Sequence, residues 1–334
     1  MLYRKYKDPG EKTVMDRRMA VILRELTVTQ RESIRTAAEA YGFRVRFLNT
    51  PEEDPAFVKE AEVVFGHCPG VAMESAKLQW ICTPFAGADQ FTGPDAFANP
   101  AALLTNSSGA YGVTIAEHTV MVLLEILRRQ SEYREIVAAR KWIRDLKIRS
   151  VRGSRITLLG TGDIGQETAK RLRAFRPACM TGVNRSGNNP GSCFDRILTD
   201  KDWETILPET DILIISLPGT KETFHMAGEK QLALLPDGAV VINVGRGSVA
   251  DQQALFRELE RGRLYAGLDV FEQEPLPADD PAWNIRNLLI TPHIAGNMTL
   301  DYTVKRIVEQ FLEDLENYCT GKPLVHLVDR NRGY

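Results

Sequence analysis

No stretch of this chain is apolar for long enough to cross a bilayer, and its first twelve residues, Met1 to Lys12, are charged rather than greasy. A membrane span and a secretory leader are therefore both unexpected. A surplus of either charge is also missing. Lys+Arg 42 against Asp+Glu 44 leaves a formal charge of −2, too little to hold a nucleic-acid backbone or an anionic membrane surface, so any bound anion must be met locally. The five cysteines, Cys68, Cys82, Cys179, Cys193 and Cys319, are odd in number and contain no CxxC pair. That excludes a zinc-ligand spacing and a disulfide framework, no metal site is expected, and a reducing cytoplasm is the simplest compartment. Internal repeats of solenoid period and low-complexity tracts are absent as well, which removes array architectures.

What remains is a chain of 334 residues, 43% of them hydrophobic, enough for about two domains with ordinary cores. Everything before about Arg18 reads as an extension or an upstream start without assigned function, because Met15 and Met19 precede the first apolar run, Ala20-Val21-Ile22-Leu23. From there, short β-rich runs alternate with amphipathic stretches, the pattern of parallel α/β construction. Thr29-Gln30-Arg31-Glu32 fits a capping box opening a helix that ends near Tyr41-Gly42. Strands are expected at Phe43 to Phe47, at Ala61 to Phe65 with an end at Gly66, and at Leu78 to Cys82 before a Gly/Ala loop. Residues Ile115 to about Trp142 suit one long packed helix or two, a natural connector. A second, larger parallel sheet is expected from runs at Ile156 to Leu159, Asp211 to Ser216, Ala239 to Asn243, Leu264 to Leu268 and Leu288 to Thr291.

Gly160-Thr161-Gly162-Asp163-Ile164-Gly165 is a GxGxxG directly after a strand and before a helical stretch running to about Phe175. With 25 glycines in 334 positions, the bare pattern arises by chance in roughly one such chain in seven, so the strand–helix context carries the inference. In a dinucleotide site, Gly160 permits the tight turn, Gly162 the approach of the pyrophosphate, and Gly165 close helix–strand contact. An NAD-selective site places a carboxylate at the end of the next strand, against the ribose hydroxyls. Here Asn184, Arg185 and Ser186 stand in that place, a neutral, a cationic and a hydroxyl group that accept a 2′-phosphate. NADP(H) is favoured, and NAD(H) stays open through Asp195, which is near enough in sequence to supply the acid.

Four further segments follow in order: Ser216-Leu217-Pro218, Asn243-Val244-Gly245-Arg246-Gly247, Gly267-Leu268-Asp269-Val270-Phe271-Glu272-Gln273-Glu274-Pro275, and Thr291-Pro292-His293-Ile294-Ala295-Gly296. Together with GTGDIG these resemble the D-isomer-specific 2-hydroxyacid dehydrogenases, and the likeness covers most of the chain after Ala20. The resemblance implies two doubly wound parallel-sheet α/β domains. A Rossmann coenzyme domain, residues 111–297, would be inserted into a smaller flavodoxin-like substrate domain made of residues 1–110 and 298–334. It also implies a cleft that closes on substrate, and a homodimer.

The chemistry is consistent with that family. A 2-oxo acid presents a carboxylate, a carbonyl that must be polarised, and an oxygen that takes up a proton. Arg246 can hold carboxylate and carbonyl together, His293 can donate the proton, and Glu274 can orient the imidazole and stabilise its cation. By the resemblance, Asp269 lies near the nicotinamide, Leu217 and Pro218 border the coenzyme, and the Ala86-Gly87-Ala88 turn receives the substrate carboxylate on its amides. His118, His225 and His326 lie in no comparable motif. His67, in Gly66-His67-Cys68-Pro69-Gly70 after a strand end, is the one other histidine placed to approach substrate.

The tail Val328-Asp329-Arg330-Asn331-Arg332-Gly333-Tyr334 and the Arg185-Ser186 pair resemble the bacterial glyoxylate/hydroxypyruvate reductase branch. The expected reaction is NADPH-dependent reduction of glyoxylate, hydroxypyruvate or a similar short 2-oxo acid to the D-2-hydroxy acid. Two alternatives stay open: an NAD-dependent relative acting on another substrate, including a phosphorylated one, and a dinucleotide-sensing, co-repressor-like binding protein. Side-chain size preference depends on where His67, Phe85, Tyr111 and Trp283 sit in space.

Overall fold

The computed structural model describes residues 16–67, 70–93, 95–330 and 332–333. It divides into two compact units, one holding the chain up to Ala110 and again from Met298, the other Tyr111–Asn297. In the first unit the strands are β1 (Arg17–Ile22), β2 (Phe43–Leu48), β3 (Val63–Gly66), β4 (Trp80–Cys82) and β5 (Leu103–Thr105). They form one parallel sheet in the order β2-β1-β3-β4-β5, the flavodoxin-like winding whose order reverses between β1 and β3. The expected extension lies outside the described residues for positions 1–15, but Arg17 and Arg18 belong to β1. Arg17 reaches the Glu62 carboxylate through Nε at 3.0 Å and Nη2 at 2.7 Å, so the fold begins three residues earlier than the apolar run indicates.

The first helix, Val28–Ala40, corrects the expected cap. Thr27 accepts the Gln30 amide at 3.2 Å while Gln30 Oε1 accepts the Thr27 amide at 2.8 Å, and Thr29 and Glu32 lie inside the helix. Both frames offer Thr-x-x-polar; the chain uses the earlier one because Leu26 is still buried and the helix must start directly behind it. β3 ends at Gly66 with φ +126°, where a Cβ would meet the Ile22 carbonyl oxygen at 2.1 Å. No other residue fits this junction.

The last long helix, Asp301–Thr320, completes the core of this unit. Phe311 stacks on Phe65 with centroids 4.0 Å apart and on Trp80 at 5.4 Å, and all three side chains are fully buried. Asp314, 1% exposed, fastens the segment beyond the helix: it accepts the Val325 amide at 2.6 Å and His326 Nδ1 at 3.0 Å. The returning chain then bridges β5 between Leu327 and Thr105.

The second unit holds β6 (Arg155–Leu159), β7 (Cys179–Val183), β8 (Arg196–Leu198), β9 (Ile212–Ile215), β10 (Val240–Asn243), β11 (Tyr265–Leu268) and β12 (Leu288–Ile290). The sheet is parallel throughout, in the order β12-β11-β10-β9-β6-β7-β8, a Rossmann winding with a seventh strand beyond β11. Its central strands β9 and β10 are buried along their whole length, as a sheet covered on both faces requires. The connector is two helices, Gly112–Leu127 and Gln130–Ala138, broken at Arg129 with φ +54°. The second ends short of Trp142 and buries none of its residues.

Asp314→Ala would leave two amides and an imidazole nitrogen without their buried acceptor, a loss of about 3 kcal/mol. Denaturant unfolding of the full chain should show that loss, and limited trypsinolysis should cut first at the exposed Lys322. Unchanged unfolding would remove Asp314 as the fastener of the carboxyl-terminal segment.

Candidate active site

The glycine loop joins β6 to the helix Asp163–Arg173. Gly160 has φ +103°, and a Cβ there would meet Ser216 Oγ at 2.8 Å. At Gly165 a Cβ would lie 2.1 Å from the Gly160 carbonyl oxygen, whereas at Gly162 it would meet no protein atom within 4 Å. Gly162 is the N-cap and provides no side-chain acceptor, so the first-turn amides, including those of Asp163 and Ile164, are not capped by it. Two glycines thus close the turn on the sheet and the third keeps open ground over a helix N-terminus, which fits a dinucleotide pyrophosphate. Leu217 and Pro218 leave β9 beside this loop and are half-buried. Thr223 Oγ1 donates to the Pro218 carbonyl at 2.6 Å and ties that turn down.

At the end of β7, Asn184 Nδ2 donates to Thr161 Oγ1 at 2.6 Å and its Oδ1 accepts the Gly187 amide at 2.7 Å. Asn184 therefore builds the turn that displays Arg185 and Ser186, both exposed. Arg185 and Lys221 share this locale with Glu222. The Glu222 carboxyl is held below its ordinary range by its own backbone amide and the Thr220 hydroxyl, then by Arg185 and Lys221. Asp195 is engaged elsewhere: its carboxylate accepts the Met180 amide at 2.7 Å and binds Arg173 at 3.0 Å. Met180 lies at the opposite end of β7, roughly 13 Å along the strand from Asn184, so Asp195 does not supply the ribose acid.

Arg246, Glu274 and His293 follow three adjacent parallel strands, β10, β11 and β12, whose last residues align as Asn243↔Leu268 and Leu268↔Ile290. All three thus leave from the carboxyl edge of the sheet, where α/β ligand sites form. Arg246 stands between two close backbone approaches. A Cβ at Gly245 would lie 2.5 Å from the Leu217 carbonyl oxygen, and one at Gly247 2.0 Å from the Phe271 carbonyl carbon. Buried Asn243 bridges the turn, donating to the Arg246 carbonyl at 2.9 Å and accepting the Gly245 amide at 3.1 Å.

Glu274 Oε1 accepts the Phe271 amide at 2.9 Å, and Oε2 lies 2.6 Å from His293 Nδ1. With Nδ1 engaged by the carboxylate, Nε2 is the ring nitrogen not committed to Glu274. His293 itself has φ +52°. Asp269, expected near the nicotinamide, directs its carboxylate at this same loop: Oδ1 accepts the Thr291 hydroxyl at 2.6 Å and the Ile294 amide at 2.9 Å, and Oδ2 the Ala295 amide at 3.0 Å. Tyr111 is buried, and Trp283 donates its indole N–H to the Pro277 carbonyl at 2.7 Å.

In the other unit, Ala86-Gly87-Ala88 forms a turn after β4. The Ala86 carbonyl accepts Asn106 Nδ2 at 2.7 Å, and the carbonyls of Phe85 and Ala88 accept backbone amides at 2.9 Å. Amides are what such a turn can offer an anion. His67 follows β3 with its ring edge-on to Phe85, centroids 5.0 Å apart, and burial pushes its imidazole below the usual value; Cys68 and Pro69 lie outside the described residues. Asn243 and Thr291, which the motifs contain without a role for them, and His118 lie beside this carboxyl edge. A polar residue on the inward face of a helix, as His118 is, was the available signal. Among the described residues no cluster of His, Cys, Asp or Glu could hold a metal ion.

A profile for the NAD binding domain of D-isomer specific 2-hydroxyacid dehydrogenases matches residues 120–295. Glyoxylate/hydroxypyruvate reductase B of Yersinia pestis (strain Pestoides F) is 33% identical over 285 residues, covering 81% of this chain and 86% of its own. The protein of that name from Enterobacter agglomerans is 35% identical over 231 residues, 67% of this chain and 71% of its own. A D-isomer specific 2-hydroxyacid dehydrogenase family protein from Aeromonas salmonicida superposes with a TM-score of 0.82 at 28% identity, over 94% of this chain and 99% of that one. The Xanthobacter autotrophicus Py2 D-isomer specific 2-hydroxyacid dehydrogenase, solved with NADPH and MES, gives 0.77 at 25% identity, over 96% and 100%. With its two parallel-sheet domains, its glycine loop and this breadth of likeness, the chain belongs to the D-isomer-specific 2-hydroxyacid dehydrogenase family and is an NAD(P)-dependent oxidoreductase.

Proposed function

We propose that the protein is an NADPH-dependent reductase of a short 2-oxo acid, glyoxylate, hydroxypyruvate or a similar compound, forming the D-2-hydroxy acid. The observation that carries this reading is the 2.6 Å pairing of Glu274 with His293 Nδ1 on the edge that also presents Arg246. The relatives from Yersinia and Enterobacter, named as glyoxylate/hydroxypyruvate reductases, support the substrate class.

When bound, the reduced nicotinamide supplies the hydride. Gly160, Gly162, Asp163, Ile164 and Gly165 hold the pyrophosphate end, Leu217 and Pro218 border it, and Asp269 acts at the nicotinamide end through the loop its carboxylate holds. Asn184, Arg185 and Ser186 meet the adenosine ribose. Arg246 fixes the substrate carboxylate and polarises the carbonyl, and in its own unit the Ala86-Gly87-Ala88 turn offers amides suited to a carboxylate. His293 passes its Nε2 proton to the carbonyl oxygen while Glu274 holds the ring and stabilises its cation before the transfer. Arg185 and Lys221 against Glu222 leave one net positive charge at the ribose end, and the Xanthobacter relative was solved with NADPH. Both favour NADP(H).

A homodimer in the cytoplasm completes the reading. Trp142 is 91% exposed and Val137 70%, with Met121, Ile143 and Ile148 also exposed on the connector and the segment after it. Such an apolar stretch suits a second copy of the chain. The free thiols Cys82, Cys179, Cys193 and Cys319 suit a reducing compartment.

Arg185→Ala should lower kcat/KM with NADPH by about 1.5–3 kcal/mol, a factor of ten to a hundred or more, and leave NADH nearly unchanged. Equal losses with both coenzymes would defeat the assignment. His293→Ala should cost about 10²–10⁴ in reductive rate with coenzyme binding preserved, and aldehydes lacking a carboxylate should not be turned over, because Arg246 would lose its partner. Brisk aldehyde reduction would sink the 2-oxo-acid reading. Sedimentation should give twice the chain mass, and Trp142→Ser should shift the protein towards monomer; a monomeric native protein would exclude the dimer.

A further inference from the structure

His118 lies on the helix Gly112–Leu127 among buried Ile115, Thr119 and Val122, with only 10% of its side chain exposed. An imidazole in a helix–sheet interface loses hydration that a leucine would not, so its partner matters. Its Nε2 is 3.1 Å from Thr291 Oγ1 and 3.7 Å from Asp269 Oδ1. The Thr291 hydroxyl has one hydrogen and gives it to Asp269 Oδ1 at 2.6 Å. Towards His118 it can therefore only accept, and Nε2 must carry the hydrogen. Burial pushes the His118 imidazole below its ordinary value against the opposing pull of Asp269, so at neutral pH the ring is an uncharged Nε2–H donor.

The chain of bonds runs on into the loop that bears the proposed acid. Asp269 accepts the Ile294 and Ala295 amides on its carboxylate, and its carbonyl accepts the His293 amide at 2.9 Å. A left-handed backbone is unfavourable at a residue other than glycine. At His293 it turns the two following amides to one side, where the carboxylate collects them. Whatever holds Asp269 still therefore holds His293 in the conformation that brings its ring to Glu274.

We propose that His118 is a positioning residue: through the Thr291 hydroxyl it fixes the Asp269 carboxylate and, with it, the left-handed turn that aims His293. This rests on the reading of His293 as the acid. The experiment is steady-state reduction of glyoxylate by the full-length protein, with NADPH affinity measured by fluorescence titration and thermal denaturation recorded for each variant. His118→Leu should lower kcat about tenfold while NADPH affinity changes less than twofold. His118→Gln, whose amide nitrogen can donate to Thr291, should recover to within threefold of the native rate, and Thr291→Val should repeat the loss. In a His293→Ala background, His118→Leu should lower kcat no further, since coupled residues are non-additive. Should His118→Leu fail to fold, His118→Asn, whose amide falls short of Thr291, replaces it. An unchanged kcat, a His118→Gln no better than His118→Leu, or a full further loss in the His293→Ala background would each overturn the proposal. Near-normal turnover by His293→Ala strikes the acid assignment itself and removes the positioning role with it.

Discussion

The Asp269 carboxylate, buried where β11 ends, accepts the Thr291 hydroxyl and the Ile294 and Ala295 amides, and the loop after β12 is shaped around it. A buried carboxylate without such donors would carry a large desolvation penalty; supplied with them, it acts as a rigid anchor. Backbone that would otherwise relax is held with His293 at φ +52°, and the imidazole is placed against Glu274. Glu274 is itself held by the Phe271 amide. Each link leaves the next with one orientation, which is how a site on loops acquires the precision of a site on strands.

Backbone crowding does the corresponding work for Arg246. Gly245 and Gly247 lie so close to the Leu217 and Phe271 backbones that no side chain fits at either position. The turn after β10 is thereby wedged between those after β9 and β11, and Asn243 closes it from below. A parallel sheet makes this arrangement simple, since every strand releases its chain at the same edge. Residues far apart in sequence then need only short turns to meet.

Much of the architecture was legible because parallel strands buried on both faces read as unbroken apolar runs, as in Ile212-Leu213-Ile214-Ile215. β5 and β8 escaped notice because each has three residues of which only two are apolar, whereas β12, equally short and also at a sheet edge, is apolar throughout. The helix cap was misplaced by two residues because Thr27 and Thr29 both head acceptable boxes and only the burial of Leu26 chooses between them. Asp195 looked available for a ribose because its distance in sequence was short. In space it belongs to Met180 and Arg173.

By itself the sequence determined the fold class and the chemistry on offer, because apolar periodicity, glycine spacing and the residue types at strand ends are local properties. Arg246, Glu274 and His293 could be named together from their motifs alone. Only the tertiary structure decided what supports them. The bond between His118 and Thr291 joins positions 173 apart, and no local pattern encodes it. Nor does any local pattern say that a carboxylate five residues before Glu274 turns away to organise the loop after β12, since that direction is settled by which donors the packed sheet brings within 3 Å of it.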